Sequence, residues 1–172
     1  MATILPVKGK LPVIPENCWL APNSTVVGDV EMGNDCTVWF NAVIRGDVNS
    51  IRMGNQVNIQ DGAVIHCTYQ KTQTILGNHV SVGHNAILHG CVVEDEVLIG
   101  MGAIVMDGVH VGKNSIIGAG AIVTQNTVIP PGTVWVGNPA KYLKDVSETA
   151  GEVFMRTSNN YVTYAGWFGK ED

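Results

Sequence analysis

The chain has 172 residues, 45% of them apolar and only 15% charged, which suffices for one domain with a substantial core and excludes a disordered chain. A net charge of −5, with ten basic residues that form no cluster, argues against a nucleic-acid partner, because a phosphate-binding surface needs concentrated Lys and Arg. No apolar run approaches the roughly eighteen residues of a membrane span. Pro6 and Pro12 also interrupt the start, Met1 to Val13, where a signal peptide needs an unbroken apolar stretch, so the expected location is cytoplasmic.

Residues 1–13 read as an N-terminal segment. From Ile14 onward an aliphatic residue recurs every six positions: Ile14, Leu20, Val26, Met32, Val38 and Ile44. After a slip the series resumes at Met53, Ile59 and Ile65, then at Leu76, Val82 and Leu88. From Val93 it runs unbroken to Ile129. Four residues after each aliphatic comes a small or β-branched residue, for example Cys18, Ser24, Cys36, Ala42, Ala63, Ala86, Val92, Ala103 and Ala121. Glycine often follows the aliphatic, as at Gly54, Gly77, Gly83 and Gly100, where a tight corner would exclude or strain a side chain.

A step of six advances a helix by about 600° and scatters the apolar positions, so a helix is poorly supported for this stretch. Stacked coils of short strands fit. Three six-residue sides close one triangular coil, and successive coils lie about 4.8 Å apart, the strand spacing of a sheet. Residues 14–141 therefore read as a mainly β domain, a parallel β-helix of about six triangular coils with both registers pointing inward. After Gly137-Asn138-Pro139-Ala140 the period stops. Residues 142–172 read as a C-terminal α-helix and tail packed along the prism, with the helix over Asp145 to Asn159 and Ser147 as its N-cap. The aromatic Tyr161, Tyr164, Trp167 and Phe168 are expected to cover the prism. The four cysteines, Cys18, Cys36, Cys67 and Cys91, form no CxxC pair and read as free thiols of a reducing compartment; Cys67 and Cys91 flank histidines and could be reactive.

When the sides are aligned in threes, Arg45, His66 and His89 each follow the starting aliphatic of the third side by one residue, and so form a column. Asp61 and His84 form another on the second side. His66 and His89 then lie about one coil apart, close enough for one ion with Zn–N bonds of about 2.0–2.1 Å. His84 lies around a corner, so a third ligand is expected from a neighbouring prism in a three-fold trimer. Three histidines with an open fourth position are the ligand set of a catalytic zinc. His79 and His110 read as surface residues.

The repeat resembles the hexapeptide-repeat family, whose prisms are left-handed. The set Arg45-Gly46-Asp47, Asn58-Ile59-Gln60-Asp61, His66, Gly83-His84 and His89-Gly90 resembles the γ-class carbonic anhydrases. That resemblance implies a homotrimer in which His66, His84 and His89 bind zinc, or Fe2+ or Co2+, two from one subunit and one from its neighbour. It further implies reversible hydration of carbon dioxide to bicarbonate by a metal-bound hydroxide. Arg45 and Asp47 match the family's interfacial ion pair, Gln60 the side chain that orients the hydroxide, Asp61 an interface and site-shaping acid, and Tyr161 a tyrosine folded over the site. The family's proton-shuttle acids have no counterpart: Val48 follows Asp47, and the loop Tyr69 to Thr74 carries Lys71 but no acid. Two alternatives share the fold, an acetyl-CoA-dependent hexapeptide-repeat acyltransferase, whose Gly-Asn-Pro-Ala-Lys end is similar to Gly137 to Lys141, and a metal-binding relative with little turnover.

Overall fold

The computed structural model describes residues 1–147 and 149–169. The six-residue period folds as a three-faced parallel β-helix. One face stacks Trp19–Leu20, Thr37–Val38, Asn58–Ile59, Ser81–Val82, Leu98–Ile99, Ile116–Ile117 and Thr133–Val136. The second stacks Thr3–Leu5, residues 25–27 and 43–45, Val64–His66, Ile87–His89, Ile104–Val105 and Ile122–Val123. The third stacks residues 30–31 and 51–53, Thr74–Leu76, Val92–Val93, His110–Val111 and Val128–Ile129. Thr25–Glu31 and Val43–Met53 run around the corner between the second and third faces, so those two faces form one continuous sheet.

The interior is built as the two apolar registers require. From Val26 to Ile129 every six-step aliphatic is buried, and partly buried Ile14 and Leu20 pack against the same core. Full burial of each such side chain contributes about 1.5–3 kcal/mol, and the stack repeats that gain at every coil. The small register behaves alike at Cys36, Ala42, Ala63, Ala86, Ala103 and Ala121. It fails at Val92, which is only half-buried. Leu88 and Val93 are five residues apart rather than six, so Cys91 turns inward in its place.

The glycines after the aliphatics serve coil stacking. A Cβ on Gly54 would stand 2.7 Å from the carbonyl carbon and oxygen of Gly77 in the next coil, and one on Gly83 would stand 2.7 Å from the Met101 nitrogen. The left-handed corner conformation falls instead to residues such as Asn41, Asn85, Asn114 and Asn126, at φ of 57–59°, the type of short polar residue that tolerates it best.

The termini depart from the sequence reading. The segment 1–13 belongs to the β-helix: Thr3–Leu5 pairs in parallel with residues 25–27, and Val13 bridges Glu31. That first rung brings the prism to about seven coils rather than six. At the other end Lys141–Asp145 is an antiparallel strand on Thr133–Val136, and the helix spans Ala150–Ala165 rather than Asp145 to Asn159. Backbone hydrogen bonds to the last coil outcompete local helix propensity over 141–145. Thr149, not Ser147, is the N-cap, and it makes no side-chain cap hydrogen bond. Among the described side chains of the helix, Phe154, Ser158 and Ala165 are buried. Tyr161 and Phe168 cover the first face through ring contacts with Trp39, Trp19 and Phe40, at centroid distances of 5.1–5.9 Å.

Candidate metal centre

On the second face, parallel register pairs His66 directly with His89. The inward neighbours Ile65 and Leu88 anchor both strands in the core, which turns the two imidazoles outward side by side. Nδ1 of His66 lies 3.0 Å from Nε2 of His89. The opposite nitrogen of each ring meets a carboxylate: Nε2 of His66 is 3.1 Å from Asp47 Oδ1, and Nδ1 of His89 is 2.9 Å from Asp107 Oδ2.

Charge fixes the tautomers. Burial alone would raise the Asp47 carboxyl, but hydrogen bonds from Arg45 and His66 and the Arg45 charge outweigh it and hold the group below the usual carboxylate range. Asp107 is likewise lowered despite burial, through hydrogen bonds from Thr72, Thr68 and His89. Both acids are therefore acceptors, and the ring nitrogen facing each must carry its proton. Burial first, then the Arg45 charge, lowers His66 against the opposing pull of Asp47, so its ring is neutral near pH 7. Its Nδ1 presents a lone pair toward Nε2 of His89.

Glycines permit this approach. A Cβ on Gly46 would stand 2.6 Å from the Asp29 carbonyl oxygen. One on Gly90, at φ +60°, would overlap Thr72 and Asp107. Asp107 also ties the 67–73 loop to the site, accepting from Thr68 Oγ1 at 2.8 Å and Thr72 Oγ1 at 2.7 Å.

His84 lies with a second set of residues. Its Nδ1 is 2.9 Å from Asp61 Oδ2, and it borders a cleft of about 440 Å³ with Gln60, Leu98, Met101, Ile116 and Tyr161. Gln60 is oriented by a relay: its Nε2 donates to Asn58 Oδ1 at 3.0 Å, and Asn58 Nδ2 donates to Ser81 Oγ at 2.8 Å. Oε1 is the end of the amide left for the cleft. Burial, then the negative charge of Asp61 and the neighbouring Tyr164, pushes the Tyr161 phenol up to about 12.

One chain thus carries two separate groups of residues: Arg45, Asp47, His66 and His89 with Asp107 in one, and Gln60, Asp61, His84 and Tyr161 in the other. Among the described residues no three His, Cys, Asp or Glu side chains converge as a metal cluster. His79 contacts Ser158, and His110 pairs with Glu94; neither joins either group.

Residues 12–46 and 90–125 match the family described as bacterial transferase hexapeptide (six repeats), and residues 73–106 match the hexapeptide repeat of succinyl-transferase. The carbonic anhydrase of Geobacillus kaustophilus is 43% identical over 92% of this chain and 87% of its own length. The chain belongs to the γ-carbonic anhydrase family of hexapeptide-repeat proteins. Mitochondrial γ-carbonic anhydrase 1 of Arabidopsis thaliana is 41% identical over 95% of the chain, which spans 61% of that longer relative. A solved hexapeptide transferase family protein from Anaplasma phagocytophilum superposes with a TM-score of 0.92 at 32% identity, covering 96% of this chain and 98% of its own.

Within this γ-carbonic anhydrase scaffold the histidines fit a metal. Each ligand candidate has its second nitrogen on a carboxylate, the arrangement that fixes a ligating imidazole and raises its basicity. Two nitrogens on one tetrahedral zinc lie about 3.3 Å apart, given bonds of about 2.0–2.1 Å, so the 3.0 Å separation of His66 and His89 needs only a small adjustment. The sequence reading missed Asp107. It follows His89 by eighteen residues, one more than the local coil, in which Leu88 pairs with Val105, so it stands outside the column that His66 and His89 define.

Proposed function

We propose that the protein catalyses reversible hydration of carbon dioxide to bicarbonate at a zinc centre shared between subunits of a homotrimer, with Fe2+ or Co2+ as metals the same ligands accept. The observation that carries this reading is the facing pair of His66 and His89 ring nitrogens at 3.0 Å, each ring held by a carboxylate on its opposite nitrogen. Two imidazoles leave a catalytic ligand set one short. His84, oriented the same way by Asp61 but in the other group, supplies the third from a neighbouring chain.

A metal held there supplies the Lewis acidity that makes water a nucleophile near neutral pH, an effect for which carbonic anhydrase is itself the reference case. The chain's own groups do the rest. Gln60 Oε1 accepts a hydrogen bond from the attacking water and directs it. Leu98, Met101 and Ile116 give an apolar wall suited to a small uncharged substrate. The neutral Tyr161 phenol keeps its proton available to donate, and such a donor favours the anionic product over carbon dioxide. Arg45 holds Asp47 in place behind His66.

A second reading, a metal-binding relative with little turnover, draws on one observation. Asp47, Asp61 and Asp107 are all committed to histidines, and Asp107 also to two threonines, so none is free to carry away the product proton. An acyltransferase reading has the hexapeptide transferase neighbour in its favour but leaves three carboxylate-locked histidines without a task. Four free thiols fit the cytoplasm as the working compartment.

Metal content measured together with stopped-flow carbon dioxide hydration, for the wild type and His84→Ala, tests the proposal. Near one metal per chain with hydration abolished in the variant supports it. Metal without hydration supports the second reading, and protein that takes up no metal overturns both.

A further inference from the structure

Cys18 and Cys36 occupy the same inward slot of adjacent coils. Trp19 pairs in register with Thr37, and the Trp19 amide donates to the Cys36 carbonyl at 3.0 Å, so the preceding Cys18 lies directly beside Cys36. Neighbouring strands stand about 4.8 Å apart, inside the Cα separation of about 4.4–6.8 Å that a disulfide spans. The in-register pairing sets the two inward side chains one strand spacing apart, with no residue between them. Cys18 lies near the N-terminal end of the prism and is partly exposed, whereas Cys36 is fully buried. Both sulfurs face backbone carbonyls: Cys18 donates to Gly33 at 3.1 Å, and Cys36 to Gly54 at 3.1 Å and Asn34 at 3.8 Å. No other cysteine pair shares this register, because His66 pairs with His89 and places Cys67 beside Gly90.

We infer that Cys18 and Cys36 form a peroxide-sensitive dithiol, with Cys18 as the attacking sulfur and Cys36 as the resolving one. The Cys18 thiolate attacks the peroxide O–O bond, giving a sulfenic acid and releasing hydroxide, which takes up the proton that Cys18 lost. The Cys36 sulfur then attacks the Cys18 sulfur, the S–O bond breaks, and the hydroxyl leaves with the Cys36 proton as water. In total two thiols and one hydrogen peroxide give one disulfide and two waters. The polarity of the pair suits these roles: the Cys36 S–H lowers the Cys18 thiol against the opposing effect of burial, while Cys36 itself is raised. The bond would staple the first two complete coils of the prism.

The test is mild hydrogen peroxide treatment of the full chain, followed by alkylation in denaturant, intact mass and peptide mapping, for wild type, Cys18→Ser and Cys36→Ala. The expected result is a loss of two hydrogens in mass, a Cys18–Cys36 linked peptide, reversal by dithiothreitol, and a higher thermal midpoint for the oxidised form. Neither variant should give the linked peptide, and Cys36→Ala should accumulate oxygen on Cys18. Oxygen adducts on wild-type Cys18 without a crosslink, a crosslink through Cys67 or Cys91, or four intact thiols under conditions that oxidise free cysteine would each overturn the inference. Circular dichroism identifies a variant that fails to fold, in which case the wild-type peptide map alone decides.

Discussion

Nδ1 of His66 and Nε2 of His89 face each other at 3.0 Å from adjacent coils, while His84 stands apart in the cleft it shares with Gln60. If the centre is completed between chains, two inactive variants should repair each other. His66→Ala and His84→Ala are each expected to lose metal and hydration. Unfolded and reassembled together, a mixed trimer contains one interface at which an intact His66 and His89 pair meets an intact His84. Random mixing makes about three-quarters of trimers mixed, so about a quarter of the wild-type metal content and activity should return. Metal analysis and stopped-flow assays of the mixture check this, and a mixture as inactive as its parents would place all three ligands within one chain.

Asp107 bears on the same centre from behind. Asp107→Asn keeps the size of the side chain but removes the charge that fixes the His89 tautomer. Its amide also cannot accept from His89, Thr68 and Thr72 as a carboxylate does. The expected result is a folded protein whose metal affinity falls about 10–100-fold, the usual scale for removing such a support. Titration against a chelator of known affinity measures it, with near-unchanged circular dichroism as the control.

The interior ladder was legible from the chain alone because the six-residue spacing resumes after each slip that lengthens a coil, so the sides can be realigned by their aliphatics. Val26, Ile44, Ile65 and Leu88 are spaced so that each lands over the last, and His66 and His89 inherit that alignment one residue later. Asp107 was less visible because the short side between Leu88 and Val93 shifts the frame in which it would be counted. Val92 was misplaced for the same reason. The helix start was hidden by a tertiary cause: Lys141–Asp145 finds backbone partners on Thr133–Val136, a pairing that no local signal announces. The separation of the two groups followed from the corner between His84 and His89, whereas the Gln60 relay through Asn58 and Ser81 depends on side-chain rotamers and emerged only with the fold.

Tyr161 gives a pH prediction with a definite sign. Burial, with the Asp61 charge adding to it, favours the neutral phenol and raises it to about 12, so Tyr161 stays protonated across the working range and cannot act as a base there. Tyr161→Phe should therefore leave the shape of the pH–rate profile unchanged. The rate itself should fall by at most about tenfold, the equivalent of one hydrogen bond. Absorbance near 295 nm offers an independent check, since the wild-type minus variant titration should show no tyrosinate below about pH 11, a unit above the ordinary tyrosine value. A difference signal appearing near pH 10 would mean that the phenol is solvated and away from Asp61.

Two glycines separate the spacing of coils from the conformation of corners. At Gly54 the backbone is ordinary, but a Cβ would press on the Gly77 carbonyl at 2.7 Å, and the coils cannot part without opening the hydrogen bond from the Gly54 amide to Leu76. Gly54→Ala is expected to cost about 2–3 kcal/mol, at the upper end for overpacking, because the obstructing atoms are backbone. Gly102 is the opposite case, with φ at +67° and nothing within 4 Å of the added carbon. Gly102→Ala should cost about 1–2 kcal/mol, the left-handed penalty alone. Gly102→Asn should cost less than that, since Asn85, Asn114 and Asn126 already hold such corners. Urea unfolding of the three variants orders them, and a Gly102→Ala loss equal to that of Gly54→Ala would show that corner conformation, rather than coil spacing, sets the need for glycine throughout the prism.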